Sequence, residues 1–445
     1  MLRERFDMFR PFAGRANVLR VPRLETHFQS HRMTSPALFL LLPTLLSSIV
    51  AQDTAAPTTA TGAALVVKTV DADLAENVSD TFSGDKLPDL GDGECYVLAL
   101  GNDGKLAITT EKAAPGFMQV RAKPAMLADI FADKIDETRQ QIGMFAGMAA
   151  SGIGATPQEL TALVDDVFAF PKQVEALNID VTGSPTSGFD GKVDVLPTAA
   201  GWFGKFIGEL QANKAGAPAV ADPDAMFQLA VNMDSAALVK AVRPFLGFAV
   251  GAAASDKETK QKYGAMMQSM VALFDGTVAM AMTGDKGQKL LCGLQDGPAL
   301  ATLIGSADFK AWRQANAEAN PMADVEFKDA ALTHREIACN KQITEVSMPS
   351  GQDNKTTQFT GVAGSFLLGA GSESDTKGLI DAILDQKVAR AALPGNALLT
   401  VSAKVAEMVR TLSNGMADGE DAPAKLDVAM HKQGTALNFT FKVGM

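Results

Sequence analysis

Phe227-Gln228-Leu229-Ala230-Val231, followed some fifty residues on by Thr277-Val278-Ala279-Met280-Ala281-Met282-Thr283, decides how this chain folds. The first stretch is a short apolar strand. The second alternates large and small residues, turns at Gly284-Asp285-Lys286-Gly287 and returns through Gln288 to Leu294. Alternation at period two is the mark of a half-buried antiparallel hairpin. Between strand and hairpin, Ser235 to Ala254 and Lys257 to Phe274 carry helical patterns. The unit is therefore strand, helix, helix, hairpin.

Working outward, the same pattern recurs. Upstream, Phe117-Met118-Gln119-Val120 leads into a helix expected over Pro124 to Ala149, with Leu127, Ile130, Phe131, Ile135, Ile142 and Phe145 returning to one face at the 3.6-residue period. Thr156-Pro157-Gln158-Glu159 is a capping box that starts a second helix. Leu177, Ile179 and Val181 then pair with Val193 and Val195. Downstream, Leu398-Leu399-Thr400-Val401 precedes a helix over Ala403 to Ser413, and Leu426, Val428 and Met430 turn at Lys432-Gln433-Gly434 into Leu437, Phe439, Phe441 and Val443. The middle copy carries further strands at Val325 to Phe327, Glu336 to Cys339 and Gln342 to Ser347, and a helix at Thr376 to Leu384. The expectation is an α+β protein of two related layered halves, mainly antiparallel sheets packed against amphipathic helices, with a truncated third repeat unit. The halves span 65–215 and 222–445, separated at the Pro- and Gly-containing stretch Lys214 to Asp224.

The unit resembles those of a group of uncharacterised exported bacterial proteins with duplicated strand–helix–helix–hairpin units, each closed by a hydrophobic strand and a short helix. Here that closure reads Phe366-Leu367-Leu368-Gly369-Ala370-Gly371 before Leu379-Ile380-Asp381-Ala382-Ile383-Leu384, and the resemblance runs from about Ala225 to Ser413. It implies architecture and export, and no activity.

Residues 1–51 read as a signal or leader segment. Ala37 to Leu46 (ALFLLLPTLL) is an apolar run ahead of small residues, which places cleavage between Ala51 and Gln52. The run is shorter than the roughly 20 residues of a membrane span. Translation starts at Met1, with an Arg-rich segment before the run, or at Met33. Residues 52–64 are a Thr-, Ala- and Pro-rich linker. Processing of this kind makes the chain periplasmic or extracellular. No later run is long enough to span a membrane; Pro244 to Ala254 reads as a buried helix.

Composition narrows the function. The chain has 40 basic and 51 acidic residues, net −11, with 47% hydrophobic and 20% charged residues. Losing residues 1–51 removes seven Arg and three acids and leaves a net charge of −15. An acidic chain lacks the basic face that nucleic acid requires. There is no Gly-x-Ser-x-Gly elbow, Cys-x-x-Cys or His-Glu-x-x-His, and only His334 and His431 follow the leader. The acidic runs at Asp85, Asp89, Asp92 and Glu94, and at Asp418, Glu420 and Asp421, lack calcium-loop spacing. Ser151-Gly152-Ile153-Gly154 lacks a phosphate loop's Lys. No catalytic, cofactor or metal residue is assigned. Among Cys95, Cys292 and Cys339, a disulfide is expected between Cys292 and Cys339, which lie in the same half. Met144, Met148, Met266, Met267, Met270, Met280 and Met282 fall on elements expected to pack together. The reading is an exported non-enzymatic protein that binds an envelope partner or organises the envelope. The alternatives are a carrier of an apolar small molecule and, more remotely, an enzyme built on a carboxylate pair.

Overall fold

The computed structural model describes residues 62–444 apart from 113–115, 151–160, 162–164, 166, 185, 221, 223, 237–238, 240–255, 285–286, 319–322, 348–352 and 413–423. The leader, the 156–159 capping box, the 244–254 segment and the acidic run 418–421 lie outside these residues. In chain order the first elements are β1 (Leu65–Thr69), α1 (Ala72–Phe82), β2 (Glu94–Leu100), β3 (Leu106–Lys112), β4 (Met118–Ala122), α2 (Pro124–Ile130), α3 (Ala132–Ala150), β5 (Val174–Ser184), β6 (Gly188–Pro197) and α4 (Trp202–Glu209). Then come β7 (Ala217–Pro218), β8 (Phe227–Asn232), α5 (Lys257–Ala272), β9 (Phe274–Thr283), β10 (Gly287–Leu294), α6 (Gly297–Gly305), α7 (Ala307–Glu318), β11 (Ala323–His334), β12 (Ile337–Ser347), β13 (Asp353–Ala363), β14 (Phe366–Ala370) and α8 (Glu373–Leu384). Last are β15 (Arg390–Ala391), β16 (Leu399–Ala403), α9 (Val405–Leu412), β17 (Lys425–Gln433) and β18 (Ala436–Gly444).

Among the described residues, sixteen strands form one antiparallel sheet in the order β11-β12-β13-β14-β10-β9-β8-β16-β17-β18-β6-β5-β4-β1-β2-β3. The protein is α+β, as the periodicity requires. The order also exposes a smaller unit than the sequence reading found. Among the described residues a strand, a helical connection and a hairpin recur four times: β1-α1-β2-β3, β4-α2-α3-β5-β6, β8-α5-β9-β10 and β16-α9-β17-β18. The first of these was not anticipated. Its signal is the buried alternation Leu65, Val67, Thr69, followed by Asp71, whose side chain accepts from Leu74 N–H as a helix cap.

The units pair by their first strands. β1 meets β4 in five register pairs, Leu65↔Ala122 to Thr69↔Met118, and β8 meets β16 in five, Phe227↔Ala403 to Val231↔Leu399. Each pairing makes a six-stranded block, 3-2-1-4-5-6 and 10-9-8-16-17-18. The blocks join where β18 pairs with β6 from Leu437↔Val195 to Val443↔Phe189.

Two local differences from expectation have clear causes. The helix expected over Pro124 to Ala149 breaks at Phe131 (φ −105°, ψ 21°) into α2 and α3. Strand β13 was missed because its first half, Asp-Asn-Lys-Thr-Thr-Gln, has no apolar alternation.

The register fixes which side chains share a face. Val67, Leu98, Met118, Val181 and Phe189 lie on one face and are buried with Val78 and Phe82 of α1. We call this the helix face. Ile207 and Leu210, in and just after α4, pack there on Met430 and Leu437. In β10 and β14 the runs Leu290-Leu291-Cys292 and Phe366-Leu367-Leu368 are apolar on both faces. That continuity matches a sheet covered twice. On the opposite face, Leu291, Leu368, Phe359 and Leu332 are buried under Ile380 and Ile383 of α8.

The block junction depends on one small residue. A Cβ on Gly191 would lie 2.0 Å from Phe441 Cζ, because the Phe441 ring occupies that space on the helix face. Gly191→Val is expected to lower unfolding free energy by about 2–3 kcal/mol through overpacking. Urea denaturation at equilibrium measures it; a stability equal to that of the unmodified chain would contradict the packing described.

Candidate functional site

A two-stranded ribbon crosses the sheet on the face opposite the helix face. β7 pairs with β15 through Ala217↔Ala391 and Pro218↔Arg390, and Ala219 N–H donates to Ala389 C=O at 2.9 Å. Gly216 makes the approach possible. Its φ is +80°, and a Cβ there would lie 2.4 Å from the Ala391 carbonyl carbon.

Side chains latch the ribbon to the sheet. Arg390 bonds to Asp275 Oδ2 at 2.8 Å and lies 4.7 Å from the Phe366 ring centroid. Asp275 Oδ1 is held by the Thr277 N–H and hydroxyl at 2.9 and 2.6 Å. Gly293 leaves room for that carboxylate, since a Cβ would come within 2.3 Å of both its oxygens. At the other end of β7, Lys289 binds Asp222 at 2.8 Å and Asp375 of α8 at 3.1 Å. The hydrogen bond to Asp222 raises the Lys289 pKa; burial opposes it, and Asp375 adds to the rise.

Beside the ribbon runs a groove of about 800 Å³. It is lined by β9, β8, β16, β17, β18 and β6, so it crosses six strands at nearly a right angle. Register explains its floor. One row is Gln228, Ser402, Asp427, Lys442 and Asp190, each opposite the next. A second row is Ala279, Ala230, Thr400, Ala429 and Thr440. Between them lies the row Met280, Leu229, Val401, Val428 and Phe441, whose side chains belong to the helix face and which leaves backbone at the floor. The floor is therefore made of two rows, one polar or charged and the other alanine and threonine. The ribbon side, with Pro218, Val220, Leu393 and Pro394, is apolar. In the polar row burial pushes Asp427 up, but hydrogen bonds from Lys425 and Ser402, with the charges of Lys425 and Lys442, outweigh it and hold its pKa below the ordinary value.

The residues singled out from sequence fall elsewhere. Cys95, Cys292 and Cys339 are buried thiols, and the expected Cys292–Cys339 disulfide does not form. Cys339 shares a row with Gly361, Leu368 and Leu291, while Cys292 is the next residue along β10 and faces the other side. Three strand steps of about 4.8 Å also separate β12 from β10, beyond the reach of a disulfide. Spacing along the chain did not reveal that β13 and β14 insert between them.

His334 ends β11 and serves a turn. Its Nε2 lies 2.9 Å from Asp381 Oδ1, and Arg335 reaches Asp381 at 3.2 Å and Asp385 at 2.7 Å. Arg335 and Glu336 have φ of +47° and +69°, the left-handed pair of a tight hairpin turn. The bonds to α8 offset that backbone cost. His431 sits in β17 next to Gly395, with its ring 3.2 Å from where a Cβ would be. Glu94 accepts from Gly91 N–H in the loop before β2. Among the described residues no group of three or more His, Cys, Asp or Glu is placed to hold a metal ion. Nor is any helix there long and apolar enough to cross a membrane. Met266 and Met267 are buried with Tyr263 and Val271 of α5, and Met280 and Met282 are half-buried on the helix face. The side chains of Met144 and Met148 lie outside the described residues.

No protein family and no curated protein matches the chain. Among solved structures there is a distant likeness to a treponemal bacterial protein, TP0453: 12% identity over 51% of this chain and 79% of that one, with a TM-score of 0.26. A likeness that low carries no argument about fold or function.

Two measurements test the site as built. Burial, with the Asp275 charge, pushes the Cys292 thiol up to about 12, and burial pushes Cys339 up to about 11. Both are expected to resist a thiol reagent near neutral pH in the native chain. In denaturant without reductant, all three cysteines of the sequence should titrate; one thiol alone would establish a disulfide. The Lys289 latch has the opposite pH sense from a carboxylate. A raised lysine contributes its stability in full below the ordinary lysine pKa of about 10.4 and loses it as pH rises through the higher folded value. The melting-temperature gap between the unmodified chain and Lys289→Met should thus stay constant from about pH 6 to about pH 9 and close only above about pH 10.4. A gap that vanished near neutrality would refute the latch.

Proposed function

We propose that the chain is an exported, non-catalytic binding protein, and that the groove beside the β7–β15 ribbon receives an extended polypeptide segment of an envelope partner. The chemistry of the floor carries this reading. A carrier of apolar molecules needs a lining of Met, Leu and Phe, but here Met280, Leu229 and Phe441 turn to the helix face. The floor instead offers the side chains of Gln228, Ser402, Asp427 and Thr440 among alanines, over strand backbone that is already paired within the sheet. An acyl chain laid there would strip water from those groups and give no hydrogen bond back. A polypeptide brings its own N–H and C=O groups to meet them. Size agrees: five strand steps of about 4.8 Å give a trough about 24 Å long, the span of roughly seven extended residues. The apolar ribbon side, Val220 and Leu393, suits one or two anchoring side chains. The apolar run and small residues at 37–52 support export, and with it a partner outside the cytoplasm.

Selection from a random peptide library against the purified mature chain, with native mass spectrometry of the same material, tests the proposal. The expected result is a set of peptides whose binding weakens at least about ten-fold, or about 1.4 kcal/mol, on Ala230→Trp, which fills the floor of the groove. A bound lipid in the native spectrum, with no peptide sensitive to Ala230→Trp, would reject it in favour of a carrier.

A further inference from the structure

The two six-stranded blocks share one strand order, 3-2-1-4-5-6 and 10-9-8-16-17-18, and the comparison singles out one edge. Val70 N–H donates to Phe117 C=O where β1 leaves β4, and Asn232 N–H donates to Leu398 C=O where β8 leaves β16. Those bonds align Val70 with Asn232, hence Thr69 with Val231. Carried across the register, Tyr96, Leu98 and Leu100 of β2 correspond to Val278, Met280 and Met282 of β9. One strand further, Leu106, Ile108 and Thr110 of β3 correspond to Gln288, Leu290 and Cys292 of β10.

β10 is not an edge. It takes β14 antiparallel, from Lys289↔Ala370 to Gly293↔Phe366. Its counterpart β3 ends the sheet, with no strand beyond it among the described residues. The main-chain groups of β3 point outward in the same sense. Gly101 N–H donates to Lys105 C=O at 2.9 Å, which makes that pair hydrogen-bonded. Pairs alternate along an antiparallel ladder, so Leu106, Ile108 and Thr110 turn their N–H and C=O groups away from β2. At the matching place on β10, the Gln288 carbonyl accepts from Gly371 N–H at 3.0 Å. The other end of the sheet is defended differently. β11 is bulged between Lys328 and Leu332, with Ala330 at φ +47°, and a bulge discourages further pairing.

We infer that the open edge of β3 over Ala107–Glu111 is a strand-acceptor site, which takes an extended segment of a partner protein antiparallel as β10 takes β14. The chemistry of the segment follows from the register. Side chains opposite Ile108 and Thr110 join the helix face, where Leu106 and Ile108 already pack on the core, so they are apolar. Those opposite Ala107 and Thr109 lie on the other face and are small or polar. Glu111, paired with Lys68, stands at one end and excludes an acidic residue there. The net charge of −11 weighs against a second copy of this chain as occupant.

The probe is a synthetic peptide, Lys-Lys-Ser-Val-Ser-Val-Ser-Lys-Lys, added to the full mature chain; paired antiparallel, its two valines fall opposite Ile108 and Thr110 and its serines opposite Ala107, Thr109 and Glu111. Amide exchange of Leu106, Ile108 and Thr110 is expected to slow at least about ten-fold at saturation. Thr110→Pro removes one outward N–H and no bond to β2, so it should weaken binding at least about ten-fold with the melting temperature unchanged. Ala230→Trp should leave this binding intact, which separates the edge from the groove. Unprotected edge amides at saturation would overturn the inference. So would equal binding to Thr110→Pro, or self-association that protects the same amides without peptide. Because the exchange measurement uses the unmodified chain, it decides the matter even if the proline variant does not fold.

Discussion

The ladder between β18 and β6 holds the two six-stranded blocks in one sheet, and its geometry propagates through everything else. Antiparallel register leaves no freedom: a slip of one residue would send Leu437, Phe439, Phe441 and Val443 to the groove side and Asn438, Thr440 and Lys442 into the helix-side core. Seven pairs fix it, and the Phe441 ring over Gly191 locks it sterically. The polar row of the groove crosses this ladder, since Lys442 and Asp190 face each other within it. The groove is therefore a consequence of how the blocks join, because five of its six strands come from one block and β6 comes from the other.

Which face is apolar changes along the sheet. From β1 to β6 the large side chains lie on the helix face, and the opposite face carries charged pairs such as Arg121–Asp180 and Lys192–Asp194. At β10 and β14 both faces are apolar, and α8 covers the second. The ribbon sits at this change. Its apolar side chains, Val220 among them, pack toward the α8 cluster, while its outer border meets the polar floor. A site with one greasy wall and one hydrogen-bonding floor arises because the sheet is doubly covered on one side of the ribbon and singly covered on the other.

Groups that attract a chemical reading from sequence turn out to serve the framework. His334 and Arg335 hold a left-handed turn onto α8, and Asp381 is kept below its ordinary pKa by the His334 contact, with burial opposing and Arg335 assisting. Cys292 and Cys339 fill core space on opposite faces. Asp275, Arg390 and Lys289 earned no notice in the sequence, because nothing in their neighbours signals that β7 and β15 will meet across more than 150 residues of chain.

The period-two alternation of Thr277 to Thr283 and of Leu426 to Val443, with helical stretches between strand and hairpin, was enough to settle an α+β protein built from repeated units. Local chemistry decides those features: a side chain's face follows from the pleat, and a helix start from its cap. Even the missed first unit was legible in Leu65, Val67, Thr69 and Asp71. The groove, the ribbon latch, the open edge of β3 and the separation of Cys292 from Cys339 were not. Each depends on which strand lies beside which, and backbone hydrogen bonds are alike for every residue, so strand order is chosen by packing between distant segments and not by any residue's own preference.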